Sequence, residues 1–323
     1  LTGVSLQFVI RQFFTKLVQG AVMILIVSAV TFAMLNAAGG DALTALRDNP
    51  QISQVTIDDL RRVYGIDRPL PMRFASWLGG AFAGDLGESI SFRVPVASLI
   101  SSRLLNTIYL SLCSLGLALF IASSLSFLAA RSRGKAIQSF IETLILITAS
   151  TPRLVLSLIA LMLTAILTGS TIAVGSGSVF SFVMTAVVLS SPLIAVFLAQ
   201  GNEQLSAAMN EDFVTLARAK GLSENGVILR HASRAAVGPM LTLFGLSLGG
   251  LLGGSVIVET ILGWPGIGSL TVSAVRTRDV PLVMGIVLIT SAAVWVGNTV
   301  AEVLQMINDP RLRSQQAEDQ LKP

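Results

Sequence analysis

Five stretches of this chain run for more than twenty residues without a charged side chain. Residues 17–40 give 24 such positions, 104–130 give 27, 154–202 give 49, 235–258 give 24 and 280–301 give 22. About 20 apolar residues, rising ~1.5 Å each as a helix, cross the ~30 Å hydrocarbon core of a bilayer. Each run is therefore long enough to span, and the longest must hold two spans, broken near Gly169–Gly177 where glycine and serine accumulate. The pattern predicts six spans, at about 17–39, 104–130, 140–168, 179–201, 238–258 and 281–304. The third is the least regular, because Arg153 falls inside it. The expected fold class is an all-α membrane protein with six transmembrane helices.

Composition agrees with that pattern. Of 323 residues, 53% are hydrophobic and 12% charged, about half the charge density of soluble domains. The first apolar run exceeds the 7–15 residues of a signal-peptide core and reads as a retained span; cleavage near Ala37-Ala38-Gly39 is the competing reading. Basic residues set the expected orientation. Arg11 and Lys16 precede span one, and Arg131, Arg133 and Lys135 follow span two. Arg218, Lys220, Arg230 and Arg234 follow span four, and Arg311, Arg313 and Lys322 follow span six. With six spans all four groups lie on one side, so the N- and C-termini are expected in the cytoplasm. The net charge of +4 expresses this bias and not nucleic-acid binding. The single cysteine, Cys113, lies in an apolar span and allows no disulfide within one chain.

Four regions follow. Residues 1–40 form a cytoplasmic N-terminus and first span, and 41–103 an exterior loop domain with seven acidic and seven basic residues. Residues 104–307 form a five-helix core that includes a cytoplasmic segment, 205–237, and residues 308–323 a cytoplasmic tail. Within the exterior domain Thr56 can cap a short helix, Ile57–Val63, ending near Gly65, before Pro69 and Pro71 break the chain. Phe74, Trp77 and Phe82 predict a second short helix at the membrane surface, where aromatic rings favour the interface.

The segment Asp212–Pro239 is polar and basic between two apolar spans. Phe213, Leu216 and Ala217 fall at helical spacing on one face. Gly221 can end that helix in the left-handed conformation, and Ser223 can cap the next. The second helix would place Ile228, His231, Ala232 and Ala235 on one face, with Arg230 and Arg234 on another. Two short helices meeting at a glycine make a rigid protrusion that can fit a cleft on a cytoplasmic protein. An amphipathic connector lying on anionic lipid has the same composition.

The run Phe213-Val214-Thr215-Leu216-Ala217-Arg218-Ala219-Lys220-Gly221-Leu222-Ser223 resembles the coupling-helix motif of ABC importer permeases, and in particular the dipeptide/oligopeptide/nickel permease family. Arg230-His231-Ala232-Ser233-Arg234-Ala235 follows as that family's "RHALRN" does, with Ala235 in place of asparagine. Glu259-Thr260-Ile261-Leu262-Gly263-Trp264-Pro265-Gly266-Ile267-Gly268 resembles "ETVFSWPGLG", Arg278-Asp279-Val280-Pro281 "RDYP", and Asp309-Pro310-Arg311 "DPR". In the exterior region Tyr64–Leu70 resembles "LGLDQPL" and Gly84-Asp85-Leu86-Gly87-Glu88-Ser89 "GDLGxS". These motifs run in order from about residue 39 to 313. Three departures stand out. Gly40-Asp41-Ala42 lacks the proline of "GDP", Thr168–Ser178 lacks "LPxxG", and Ser150-Thr151-Pro152-Arg153-Leu154 replaces "SxPxF".

The resemblance implies a type I ABC importer permease fold and the role of first permease subunit, the type with a long loop after span one. It implies a pore shared with a homologous second permease in a heterodimer, two cytoplasmic ATPase subunits and an extracytoplasmic binding protein. Cargo would be di- or oligopeptides or a related solute such as chelated nickel. ATPase coupling would fall to Phe213, Leu216, Ala217, Arg218, Ala219, Lys220, Gly221, Leu222, Arg230 and His231. Trp264, Pro265 and Gly266 would cap the exterior mouth of the pathway; their sequence alone fits a structural re-entrant turn.

Two further candidates rest on residue chemistry. A charge at mid-membrane costs ~2.5–3.5 kcal/mol on the insertion scale, so Arg153 is expected to face the bundle interior or a watery cavity. Beside it, Pro152 permits an irregular turn. Arg153 either lines the pore and meets substrate carboxylates, or snorkels to the cytoplasmic interface. Gly245, Gly249 and Gly253, at i+4 spacing, predict close helix packing. His231 reads as a packing residue and not a metal ligand. The chain has no HExxH, GxSxG or P-loop pattern; no metal site and no catalytic residue are expected, and ATP and magnesium belong to the partner subunits. An ion-coupled secondary transporter is the alternative, and it would carry ionisable residues within spans. An intramembrane enzyme would need convergent catalytic groups.

Overall fold

The computed structural model describes residues 6–37, 68–132, 134–169 and 178–308. Helix Ile57–Val63, the motif Gly40-Asp41-Ala42 and the tail Asp309–Pro323 lie outside the described residues. The described chain is helical almost throughout, with one isolated bridge between Glu88 and Pro95. We label the helices α1 (Leu6–Ala37), α2 (Leu70–Phe82), α3 (Val96–Ser132), α4 (Lys135–Ser150), α5 (Arg153–Thr168) and α6 (Val179–Met209). There follow α7 (Asp212–Ala219), α8 (Glu224–Val227), a π-helical turn (Ile228–Ala232), α9 (Ser233–Gly254), α10 (Val256–Ile261), α11 (Ile267–Arg276) and α12 (Val280–Asn308).

Four helices are long and apolar enough to cross a membrane alone: Phe14–Ala37 of α1, α3, α6, and Val280–Val300 of α12. Two bent pairs bring the number among the described residues to six if each pair is one span: α4 with α5, at 97°, and Glu224–Ala232 with Ala236–Leu251, at 57°. The third span, expected over about 140–168, is therefore two helices that meet where Pro152 permits an irregular turn. Proline disfavours helical geometry in the residue before it and has no N–H to continue the ladder. Thr151 accordingly turns extended, with ψ 115°, and the helix restarts at Arg153 with Pro152 as its N-cap. The fifth span, expected over 238–258, is α9, which ends at Gly254 before the short α10.

The chain divides into two compact units, residues 1–107 with 265–295, and residues 108–264 with 296–323. In the first, Leu86, Val96, Ile100, Ile267, Leu270 and Leu282 form the centre of a buried apolar cluster. Helix α2 starts at the prolines, which suit a first helical turn. Phe74 lies 5.5 Å from the Phe32 ring and 6.1 Å from Trp77. Arg73 sits over Phe32 and donates to Asn36 Oδ1 at 3.0 Å, so α2 is held against the end of α1. Gly20 of α1 lies so close to the Trp295 indole of α12 that no β-carbon fits between them.

In the second unit α6 is the central helix, with α4, α5 and α9 packed on it. Its buried positions include Leu189, Phe197 and Leu198, in a cluster with Leu110, Leu115, Ile141, Leu251, Leu262 and Trp264. Gly201 of α6 faces Ser126 and Met240, where a β-carbon would need both side chains to move. Such small residues let helices approach where lipid gives no hydrophobic drive to associate.

Candidate functional site

The basic segment folds as an elbow. Asp212 in the first turn of α7 and Arg218 in the last complement the helix dipole. Gly221 adopts φ 77°, and the Leu222 and Gly221 amides donate to the Ala217 and Arg218 carbonyls at 3.3 and 2.9 Å. This is the glycine-terminated Schellman arrangement, which satisfies carbonyls that the helix end leaves free. Ser223 then caps α8, its hydroxyl accepting from the Gly226 amide at 3.3 Å. Across the elbow Arg218 Nε donates to Glu224 Oε1 at 2.9 Å. Both side chains are partly exposed, so the pair stabilises the bend by at most about 1 kcal/mol. The sequence reading omitted Glu224, although a carboxylate six residues from an arginine across a glycine turn was a visible signal.

The faces differ from those expected. Val214 (0% exposed) and Ala217 (4%) point inward, whereas Phe213 (44%) and Leu216 (57%) point outward. Val214 and Ala217 join Leu205, Ala208 and Met209 of α6 and Val227, Ile228 and Ala232 in one buried cluster, with Phe127 and Ala130 of α3 against it. The elbow is thus bolted to the ends of α3 and α6 and shows Phe213, Leu216 and Leu222 to the outside. The expected second helix is also not regular: α8 lasts one turn and widens into the π turn. Ile228 and Ala232 are buried there, His231 is half-buried and Arg230 and Arg234 are exposed. Ala219 and Lys220 complete the first helix and its cap.

Arg153 is half-buried at the first turn of α5, and its Nη1 donates to the Gly254 carbonyl at 3.0 Å. That carbonyl belongs to the last residue of α9, where a cation complements the helix dipole. Helix α9 has 22 residues, or about 33 Å at 1.5 Å per residue. Arg153 therefore sits at the end of α9 opposite Arg230 and Arg234. No carboxylate pairs with it among the described residues.

The glycine stripe is used only in part. Gly245 and Gly249 are buried, and Gly249 is approached by Gly297 of α12, but Gly253 is open to space. The glycine that packing requires is Gly254, whose missing β-carbon makes room for the Arg153 guanidinium. Trp264 is buried beside Phe182, with ring centroids 5.4 Å apart, and Tyr109 stacks on Phe182 at 5.2 Å. In the other unit, Asn106 Nδ2 donates to the Pro265 carbonyl at 2.8 Å, and the Ile267 amide donates to Thr107 Oγ1 at 2.8 Å, fixing the turn at Gly266. Asp279, fully buried, accepts from Ser89 Oγ at 2.6 Å and the Ser91 amide at 2.9 Å, and caps α12 through the Leu282 amide at 3.2 Å. The "GDLGES" and "RDVP" stretches, separate in sequence, are one hydrogen-bonded unit.

The elbow is anchored between apolar helices and carries an apolar outer face, and comparison with known proteins gives the class of the chain. Residues 122–314 match the family described as binding-protein-dependent transport system inner membrane component, and residues 5–111 match its N-terminal companion. The oligopeptide transport system permease protein AppB of Bacillus subtilis (strain 168) is 33% identical over 297 residues, covering 88% of this chain and 94% of its own. The glutathione transport system permease protein GsiC of Escherichia coli (strain K12) is 31% identical over 288 residues, covering 89% and 94%. The chain belongs to this family: it is a multi-pass inner-membrane permease subunit of an ABC importer. Such importers work with ATPase and binding-protein partners, and the ion-coupled alternative falls away.

Proposed function

We propose that this chain forms half of a pore for di- or oligopeptides and is driven by two ATPase subunits held at the α7–α8 elbow. The observation that carries the reading is the split of α7: Val214 and Ala217 lock it to α6, and Phe213 and Leu216 stand outside it. A push on the outer face reaches α3 and α6 as a rigid-body movement, the kind alternating access requires. Phe213, Leu216, Arg218, Lys220, Gly221 and Leu222 make the docking surface, with Arg230 and His231 beside it. ATP and magnesium stay on the ATPases, and this chain performs no catalysis. The second permease is a homologous, different chain, and an extracytoplasmic binding protein delivers cargo to surfaces within 41–103 and 259–280. Both termini and the elbow face the cytoplasm.

Peptide is favoured over chelated nickel because the relatives carry peptide and glutathione in their names. Arg153 adds a cation suited to a carboxylate, with Trp264, Pro265 and Gly266 at the exterior mouth. The assembly, reconstituted in vesicles with its binding protein, is expected to import labelled peptides on ATP addition and to ignore nickel chelates. Import of nickel chelate alone would overturn the cargo assignment.

A further inference from the structure

Between α3, α6 and the start of α9 lies a cavity of about 320 Å³. Its walls are Leu119–Phe127 of α3, Phe197–Leu205 of α6, and Ile228–Phe244 of the π turn and α9, with residues from each. They are apolar apart from the hydroxyls of Ser123, Ser126 and Ser233. Ser126 is buried and its hydroxyl has no hydrogen-bond partner. Ser123, Leu229 and Val237 are exposed, so the cavity opens to the outside of the chain at these residues.

No charged residue lines the cavity, but two exposed arginines stand near one end of it in the chain. Phe127 and Ala130 pack against Ile228, Ala232 and Ala236, so this end of α3 adjoins the π turn. One turn beyond Phe127 on the same face stands Arg131, and next to the lining residue Ser233 stands Arg234; both are exposed. Glu203 of α6 is two residues from the lining Gly201, on the other side of that helix. From Phe127 to Leu119 the wall rises about 12 Å, and from Ser233 to Phe244 about 16 Å, at 1.5 Å per residue. That depth is close to one leaflet of a ~30 Å hydrocarbon core.

We propose that this cavity binds an anionic phospholipid, one acyl chain lying between α3, α6 and α9 and the phosphate on Arg131 and Arg234. Basic pockets between membrane helices hold anionic headgroups by charge, and apolar walls hold the chain. The site lies beside the joint between the elbow and α9, so the lipid packs against the segment that would transmit movement.

The test uses the full transporter assembly in phosphatidylcholine vesicles doped with a diazirine-tailed probe, either phosphatidylglycerol or phosphatidylcholine. The glycerol probe is expected to label 119–127 and 197–205 in preference to the choline probe, and unlabelled phosphatidylglycerol to displace it. Each arginine removed is expected to lower the preference roughly fivefold, so that Arg131→Ala with Arg234→Ala abolishes it. Ser123→Trp, which fills the mouth from an exposed position, is expected to reduce wall labelling by either probe. Equal labelling by both probes in the unmodified assembly overturns the proposal, whatever the variants do. So does capture of a Leu229→Cys cross-linker by a partner permease or ATPase with the walls unlabelled.

Discussion

At the scale of single residues, Arg153 and Gly254 are directly coupled. A β-carbon at 254 would occupy the guanidinium position. Gly254→Ala is expected to break the hydrogen bond to the carbonyl and destabilise the protein by about 1–3 kcal/mol. Residues in direct contact do not add independently. Arg153→Ala should therefore relieve most of that cost, and thermal melts of the two single variants and the double variant measure it; additive losses would mean that the two groups do not meet. Asp279 makes a second residue-scale case. Asp279→Ala leaves the Ser89 hydroxyl and two amides without their acceptor, at about 1–3 kcal/mol for each buried group left unpaired. A melting temperature equal to that of the unsubstituted protein would contradict the tie between the turn at Ser89–Ser91 and α12. Neither contact was legible in the sequence, because each joins positions a hundred or more residues apart and a single chain carries no sign of which distant groups converge.

At the scale of elements, the sequence shows where helices begin and end better than which way they face. Gly221, Ser223 and Pro152 are local signals with local causes, and the structure places a left-handed cap, an N-cap and a helix break at those positions. The facing of α7 is different. Phe213 with Leu216 and Val214 with Ala217 both have i, i+3 spacing, so the pattern supports two apolar faces. The neighbours decide: Leu205, Met209 and Ile228 cover Val214 and Ala217. Two substitutions one residue apart should therefore behave differently. Val214→Asp buries a carboxylate without a partner and is expected to abolish assembly of the permease. Phe213→Ser is expected to assemble normally and to lose ATPase association, read by co-purification. If both variants behave alike, the inner and outer faces are not separated as described.

At the scale of the whole molecule, the apolar runs announced six crossings, and the structure supplies four single helices and two bent pairs. Six crossings would leave the two termini on one side, and the proposed orientation, argued from the basic loops, makes that side the cytoplasm. With Cys113 replaced by serine, Phe82→Cys is expected to react with a membrane-impermeant maleimide from outside intact cells. Leu222→Cys is expected to react only after the membrane is opened. The reverse pattern would invert the orientation.

The central claim is that the outer face of α7 carries ATPase motion into the membrane, and ATP-driven uptake measures it directly. Leu216→Glu places a charge on that face at an exposed position, leaving the buried cluster intact. In vesicles holding the complete importer and its binding protein, this variant is expected to insert and assemble with the second permease, yet to import labelled peptide at background rates. Peptide uptake equal to that of the unsubstituted importer would contradict the account.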